Sequence, residues 1–167
     1  PGRYVKMKKF TLPAALALFL LPAAAFGGGY VIQGAGVKFF MPDAWETHES
    51  NLGIMFSSPS GDMVLTVGAM PSDQLGDALK MAGEQVDLLM TEAEYEEGER
   101  EVEINGFYGM VFSAWGKTEK GDSFANFIVL SAENDRRILI FSMGEAGAWE
   151  NNLEDIQLLT DSILPAD

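Results

Sequence analysis

The chain has no cysteine. That excludes disulfides, thiolate zinc sites and cysteine nucleophiles together. It also leaves no thiol for a lipid anchor near a cleavage site. Histidine is almost as scarce: His48 is the single one in 167 residues. A Ser-His-Asp triad would have to use it as the base. No G-x-S-x-G elbow and no S-x-x-K is present to supply the nucleophile. His48-Glu49-Ser50-Asn51-Leu52 fails the H-E-x-x-H zinc pattern at its last position. His48 therefore reads as an exposed loop residue. Positive charge is scarce too, with 11 basic residues against 25 acidic ones and a net charge of −14. Such a surface repels nucleic-acid phosphates and anionic headgroups. Gly27-Gly28-Gly29 and Gly34-Ala35-Gly36 are not followed by Lys-Ser/Thr, so they make no phosphate loop.

What is present begins with a secretory signature. Lys8 and Lys9 follow Met7, Leu12 to Leu21 form a short apolar run, and Ala23-Ala24-Ala25 offers an A-x-A cleavage site. Ala25-Phe26-Gly27 is a second option. Pro13 and Pro22 interrupt the run and no basic stop-transfer cluster follows, which favours cleavage over anchoring. Pro1 to Lys6 are read as upstream of the initiator Met7 and given no role. The expectation is a signal segment over 1–27 and one domain over 28–167. Residues 1–27 hold four of the 11 basic residues and none of the 25 acids, so the remainder carries 7 against 25, or −18. An exported domain of this length without disulfides must rely on its core, which is feasible. The expected location is a bacterial periplasm or the medium, with the membrane involved only before cleavage.

Strand and helix patterns then alternate along the chain. Tyr30–Gln33, Val37–Met41, Ile54–Ser57 and Met63–Met70 read as strands, with Pro59-Ser60-Gly61-Asp62 a turn. Ser72 reads as a helix N-cap, and Leu75, Leu79, Ala82, Val86 and Leu89 share one helical face. That helix is predicted to end near Met90, with Leu79 and Val86 buried on the sheet. Glu97–Ile104 alternates as a strand into Asn105-Gly106, a two-residue hairpin signal. Phe107–Trp115, Ser123–Ser131 and Arg137–Met143 complete an antiparallel meander. A helix from about Ala148 to Ile163 closes the chain, stopped by Leu164-Pro165. Helices segregated around an antiparallel sheet make an α+β sandwich. Runs such as FIVL and ILIF, apolar on both faces, suggest helices on both sides of it.

Two groups are candidate partner-binding residues. Glu97, Glu99, Glu101 and Glu103 recur at period two and form a carboxylate ladder on one strand face. The ladder can attract a cation or a basic partner, or simply guard an edge strand against pairing. It lacks the Asp/Asn/Gly loop of a specific calcium site. Trp45 and Trp115 lie near strand ends, where they can line a ligand groove or pack at the rim of the core. Paired carboxylates suitable for glycoside hydrolysis say nothing without a cleft, since 25 acids always supply some pair.

Val37-Lys38-Phe39-Phe40-Met41-Pro42-Asp43-Ala44-Trp45, an apolar strand followed by Pro-x-x-Trp, resembles the opening of the PsbP-like superfamily. So does the order that follows: a hairpin, the Ser72 helix, Asn105-Gly106, three long strands and a helix ending in Asp161-Ser162-Ile163. That group includes the extrinsic photosystem II protein, periplasmic DcrB-type domains and a Ran-binding import factor of yeast. The resemblance implies a PsbP-like α/β/α sandwich and a non-enzymatic accessory, assembly or binding role. It implies no cofactor, and it carries over no catalytic or metal residue. The expectation is an exported, non-catalytic binding domain of the cell envelope with a protein partner and no nucleic acid. The alternatives are a small-ligand or metal-ion binding module and an unrecognised hydrolase.

Overall fold

The structure is a computed structural model that describes residues 6–7, 28–50, 53–96, 100–133 and 135–166. The signal segment therefore lies outside the described residues, apart from Lys6–Met7 (β1). The strands that follow are β2 (Gly29–Ile32), β3 (Val37–Phe40), β4 (Glu46–Ser50), β5 (Gly53–Ser57) and β6 (Met63–Pro71). Helix α1 (Leu75–Leu89) leads to the short strands β7 (Met90–Thr91) and β8 (Glu94–Tyr95). The meander is β9 (Arg100–Ile104), β10 (Phe107–Thr118), β11 (Gly121–Ser131) and β12 (Arg136–Glu145). Helices α2 (Ala148–Asn151) and α3 (Leu153–Asp161) and the strand β13 (Leu164–Pro165) end the chain.

The main sheet runs β4-β5-β6-β12-β11-β10, with antiparallel pairing throughout. Strands β8 and β9 line the outer side of β10, and β1 and β7 extend the sheet at its far end. A second, small sheet has the order β13-β3-β2. One face of the main sheet carries the principal core. There Phe56, Leu65, Val67, Phe124, Leu130, Ile138 and Ile140 meet Val37, Phe39 and Met41 of the small sheet and Ile156 and Leu159 of α3. The opposite face carries a smaller core, where Val86 and Leu89 of α1 and Met90 meet Ala114, Ala125 and Met143. The chain is thus an α+β sandwich with helices on both faces of its sheet.

Local chemistry explains the main turn. Asn105 and Gly106 both take positive φ, 50° and 86°. That is the pairing a type I′ hairpin requires, and glycine and asparagine reach it most readily. The neighbouring strands run longer than their sequence patterns suggest. Past Trp115 and ahead of Ser123, Lys117 pairs with Asp122 and Thr118 with Gly121, so β10 and β11 extend to Thr118 and Gly121.

Four local expectations need correction. Ser72 does not cap α1: it opens a 3₁₀ turn over Ser72–Gln74, and α1 begins at Leu75 with no side-chain cap. The Ser72 N–H is already committed to the Asp135 carbonyl at 2.9 Å. His48 lies on strand β4, not in a loop, paired across to Met55. Its ring sits 3.6 Å from the Glu46 carboxylate. The closing helix is two helices, broken at Asn152, which bonds back to Ala148 and to Asp62. On α1, Val86 is buried as predicted, but Leu79 is only half-buried.

Candidate interaction surface

Trp45 and Trp115 are separated by the fold into different environments. Trp45 follows Pro42 in the turn after β3, whose backbone is closed by the Trp45 N–H to the Pro42 carbonyl at 3.0 Å. Its side chain is 3% exposed and joins the principal core. Its indole Nε1–H donates to Asp155 Oδ2 of α3 at 2.8 Å, across 110 positions of sequence. Burying an indole requires a partner for that N–H, and Asp155 provides it. Trp45 therefore ties the small sheet to the last helix and offers no free wall to a ligand.

Trp115 is 41% exposed near the end of β10. Side chains alternate along a strand, so Trp115 shares the principal-core face with Phe107 and lies beside Phe124, its partner on β11. The Trp115 and Phe124 rings are 6.2 Å apart, and Phe124 meets Trp149 of α2 edge-on at 5.9 Å. Phe124 is buried, so it forms the floor between an exposed and a half-buried indole. On the other side of Trp115, Glu94 of β8 stands directly across the ladder and is exposed.

The charges around Trp115 are unequally matched. Arg100 is held by Glu96 at 3.2 Å and also donates to Ser113. Lys117 is held by Asp122 at 3.5 Å, and Lys120 by Glu145 at 3.1 Å. Glu94 has no ion-pair partner among the described residues. The neighbourhood thus presents an aromatic face beside an unanswered carboxylate.

The acidic ladder is elsewhere. Glu101 and Glu103 are exposed on β9, across from Met110 and Tyr108 of β10. Tyr108 is 65% exposed. Val102 and Ile104, the alternate residues of β9, pack on the principal core. The ladder therefore occupies the sheet face opposite Trp115. Glu97 and Glu99 lie outside the described residues. Among the described residues no group of three or more His, Asp or Glu side chains is placed to hold a metal ion. No described helix is long and apolar enough to cross a membrane.

Two polar networks escaped the sequence patterns. Asp62, after the β5–β6 turn, accepts hydrogen bonds from Ser58, Ser60, Asn151 and Asn152. Burial pushes its carboxyl pKa up, but the bonds from Ser60, Ser58, Asn152 and Asn151 outweigh that and hold it below the usual value. Asn151 and Asn152 lie 89 and 90 positions beyond Asp62, so no local motif announced their meeting. The second joins Tyr95, whose hydroxyl donates to the Asp87 carboxylate at 2.9 Å and lies 3.1 Å from the Gly83 carbonyl, both on α1. Burial and the adjacent Asp87 carboxylate push the Tyr95 phenol above its usual range.

This arrangement of layers is shared with solved proteins. Cyanobacterial PsbP from Synechocystis superposes with a TM-score of 0.53 at 11% identity, covering 85% of this chain and 98% of that one. The fold is PsbP-like. LpqN, involved in cell envelope biogenesis of Mycobacterium tuberculosis, gives a TM-score of 0.51 at 10% identity, over 77% and 83% of the two chains. The Ran-binding protein Mog1p of Saccharomyces cerevisiae gives 0.50 at 9% identity, over 83% and 95%. At such identities the likeness is one of fold. No protein-family model and no curated sequence matches the chain.

Proposed function

We propose that the chain is an exported, non-catalytic binding domain that works in the bacterial cell envelope by engaging a protein partner. The observation that carries this reading is the exposed Trp115 indole, backed by Phe124 and flanked by Glu94. Exposed aromatics on a rigid floor are the residues that anchor protein interfaces. The Lys8-Lys9, Leu12–Leu21 and Ala23-Ala24-Ala25 pattern supports export. LpqN, of like fold, is described as acting in envelope biogenesis, and Mog1p as binding Ran, which supports the same class of role. The exposed glutamates Glu101 and Glu103 add to a repulsive field that keeps the surface soluble and unreceptive to anions.

Export and binding are tested separately. Expressed in a bacterium, the protein is expected in the periplasm, shortened at Ala25 or Gly27 by N-terminal sequencing. An intact Leu12–Leu21 segment in the membrane fraction overturns the location. For binding, a photo-crosslinking amino acid placed at Lys117, beside Trp115, is expected to capture a discrete envelope protein in intact cells. The same probe at Glu49, on the far edge strand, is expected not to capture it. Equal capture, or none, at the two positions overturns the role of this surface.

A further inference from the structure

Trp115 is only partly packed. An indole that leaves 41% of its area in water forgoes much of the burial its neighbours achieve, while Phe124 beneath it is fully covered. Any partner that covers Trp115 also covers Glu94, because directly paired residues on adjacent strands have Cβ atoms about 4.5–5.5 Å apart. A carboxylate taken out of water without a counter-charge is strongly unfavourable. A purely apolar partner is therefore excluded at this spot. Among the described residues, the nearby cations Arg100, Lys117 and Lys120 are each held by another acid, and none of the three pairs with Glu94.

We infer that Trp115 and Glu94 together receive a cationic side chain, an arginine borne on an exposed segment of the partner protein. This inference rests on the binding role proposed above and names its chemistry. A guanidinium stacks flat on an indole and is attracted by the negative face of the ring. Its edge N–H groups then point toward the strand neighbour, where Glu94 accepts them as a charged pair. The excess of 25 acids over 11 basic residues steers such a segment toward the surface, and the indole and carboxylate fix where it stops.

The test uses the purified full chain and a fluorescein-labelled peptide alternating arginine and glycine. A citrulline peptide of the same shape without charge is the control. Fluorescence anisotropy at physiological salt is expected to show saturable binding of the arginine peptide and none of the citrulline peptide. Trp115→Ala and Glu94→Gln are each expected to weaken it about tenfold, and Trp115→Phe much less, as a cation–aromatic contact predicts. Glu94 is exposed, so its variant retains the fold even if Trp115→Ala melts early. Neutralising Glu101 and Glu103 on the opposite face is expected to change binding little. Equal losses from that distant pair and from Glu94→Gln would reduce the effect to bulk charge and overturn the inference. Absence of saturable binding overturns it too. If Lys117 crosslinking still captures a partner that the arginine peptide fails to displace, the binding role stands and the cation chemistry falls.

Discussion

The side-chain amide of Asn105 donates to the carbonyl of Ile163 at 2.9 Å, across 58 positions of sequence. The same amide lies 3.1 Å from the Thr160 carbonyl and 3.0 Å from that of Asp161. Those carbonyls belong to the last turn of α3 and its exit, where a helix leaves its final C=O groups without backbone partners. One residue thus shapes the hairpin between β9 and β10 and closes the end of the last helix.

Asn105 substitutions are expected to separate these two roles. Asn105→Gly keeps a residue that tolerates a φ of 50° and removes the amide. Its cost is expected to be about 1 kcal/mol, the scale of a partly exposed hydrogen-bond group. Asn105→Ala loses the same bonds and adds roughly 1 kcal/mol for a left-handed backbone with a Cβ. Urea denaturation of the two variants checks the order. If alanine is no worse than glycine, the turn is not held in its type I′ form.

Asn105-Gly106 was legible because the turn depends on residues adjacent in sequence. The long strands of the meander were legible for a related reason: apolar runs rich in β-branched and aromatic residues lie between turn residues. What could not be read depends on groups brought together from afar. The break at Asn152 is set partly by Asp62, 90 positions earlier, whose carboxylate accepts from the Asn152 amide at 3.3 Å. Trp45 gave no sign of whether it would face a groove or the core, because Asp155 lies 110 residues on. The short polar strand β4, Glu46 to Ser50, lacks an apolar alternation of its own. It is a strand because β5 presents an edge to pair with. At Trp115 the sequence suggested a location near a strand end, but Glu94 as its partner follows only from the register of β8.

Ser72 opens the 3₁₀ turn ahead of α1 without capping the helix. Its hydroxyl is buried and unpaired, the one such side-chain atom among the described residues. Such a group lacks the hydrogen bond it would make with water and contributes nothing in return. Ser72→Ala is therefore expected to leave stability unchanged or raise it by up to about 1 kcal/mol. Were Ser72 a true N-cap, the same change would cost about 1 kcal/mol. Thermal unfolding distinguishes the two signs.

Asp62 gives the fold a dependence on acid. Its folded pKa is depressed, while in the unfolded chain it returns to about its ordinary 3.8. Stability from its four hydrogen bonds is thus fully present above that ordinary value. It is lost as pH falls through the lower folded value, because the unfolded state binds the proton more readily. Unfolding curves between neutral pH and the acid range are expected to show this fall, and Asp62→Asn to flatten that part of it. A variant that loses stability with the same slope as the parent would assign the acid sensitivity to other carboxylates.

The ladder makes the opposite electrostatic prediction. Glu101 and Glu103 project from one face of β9, exposed, with no ion pair to either among the described residues. Two like charges two positions apart on a strand repel weakly through solvent, and salt screens what remains. Replacing both with glutamine is therefore expected to leave stability unchanged or slightly raised, by at most about half a kcal/mol, the level of ordinary surface changes. A calcium ion requires six to eight oxygens converging on one point, whereas side chains spread along a strand face diverge. Calorimetry with Ca²⁺ at physiological salt is expected to give no saturable heat. The ladder also occupies the sheet face opposite Trp115, so removing it should spare any partner bound there. Micromolar, stoichiometric binding of Ca²⁺ abolished by the double change would instead make the ladder a site. So would a clear loss of stability on neutralisation, since only a carboxylate with an organised counter-charge would be missed by the fold.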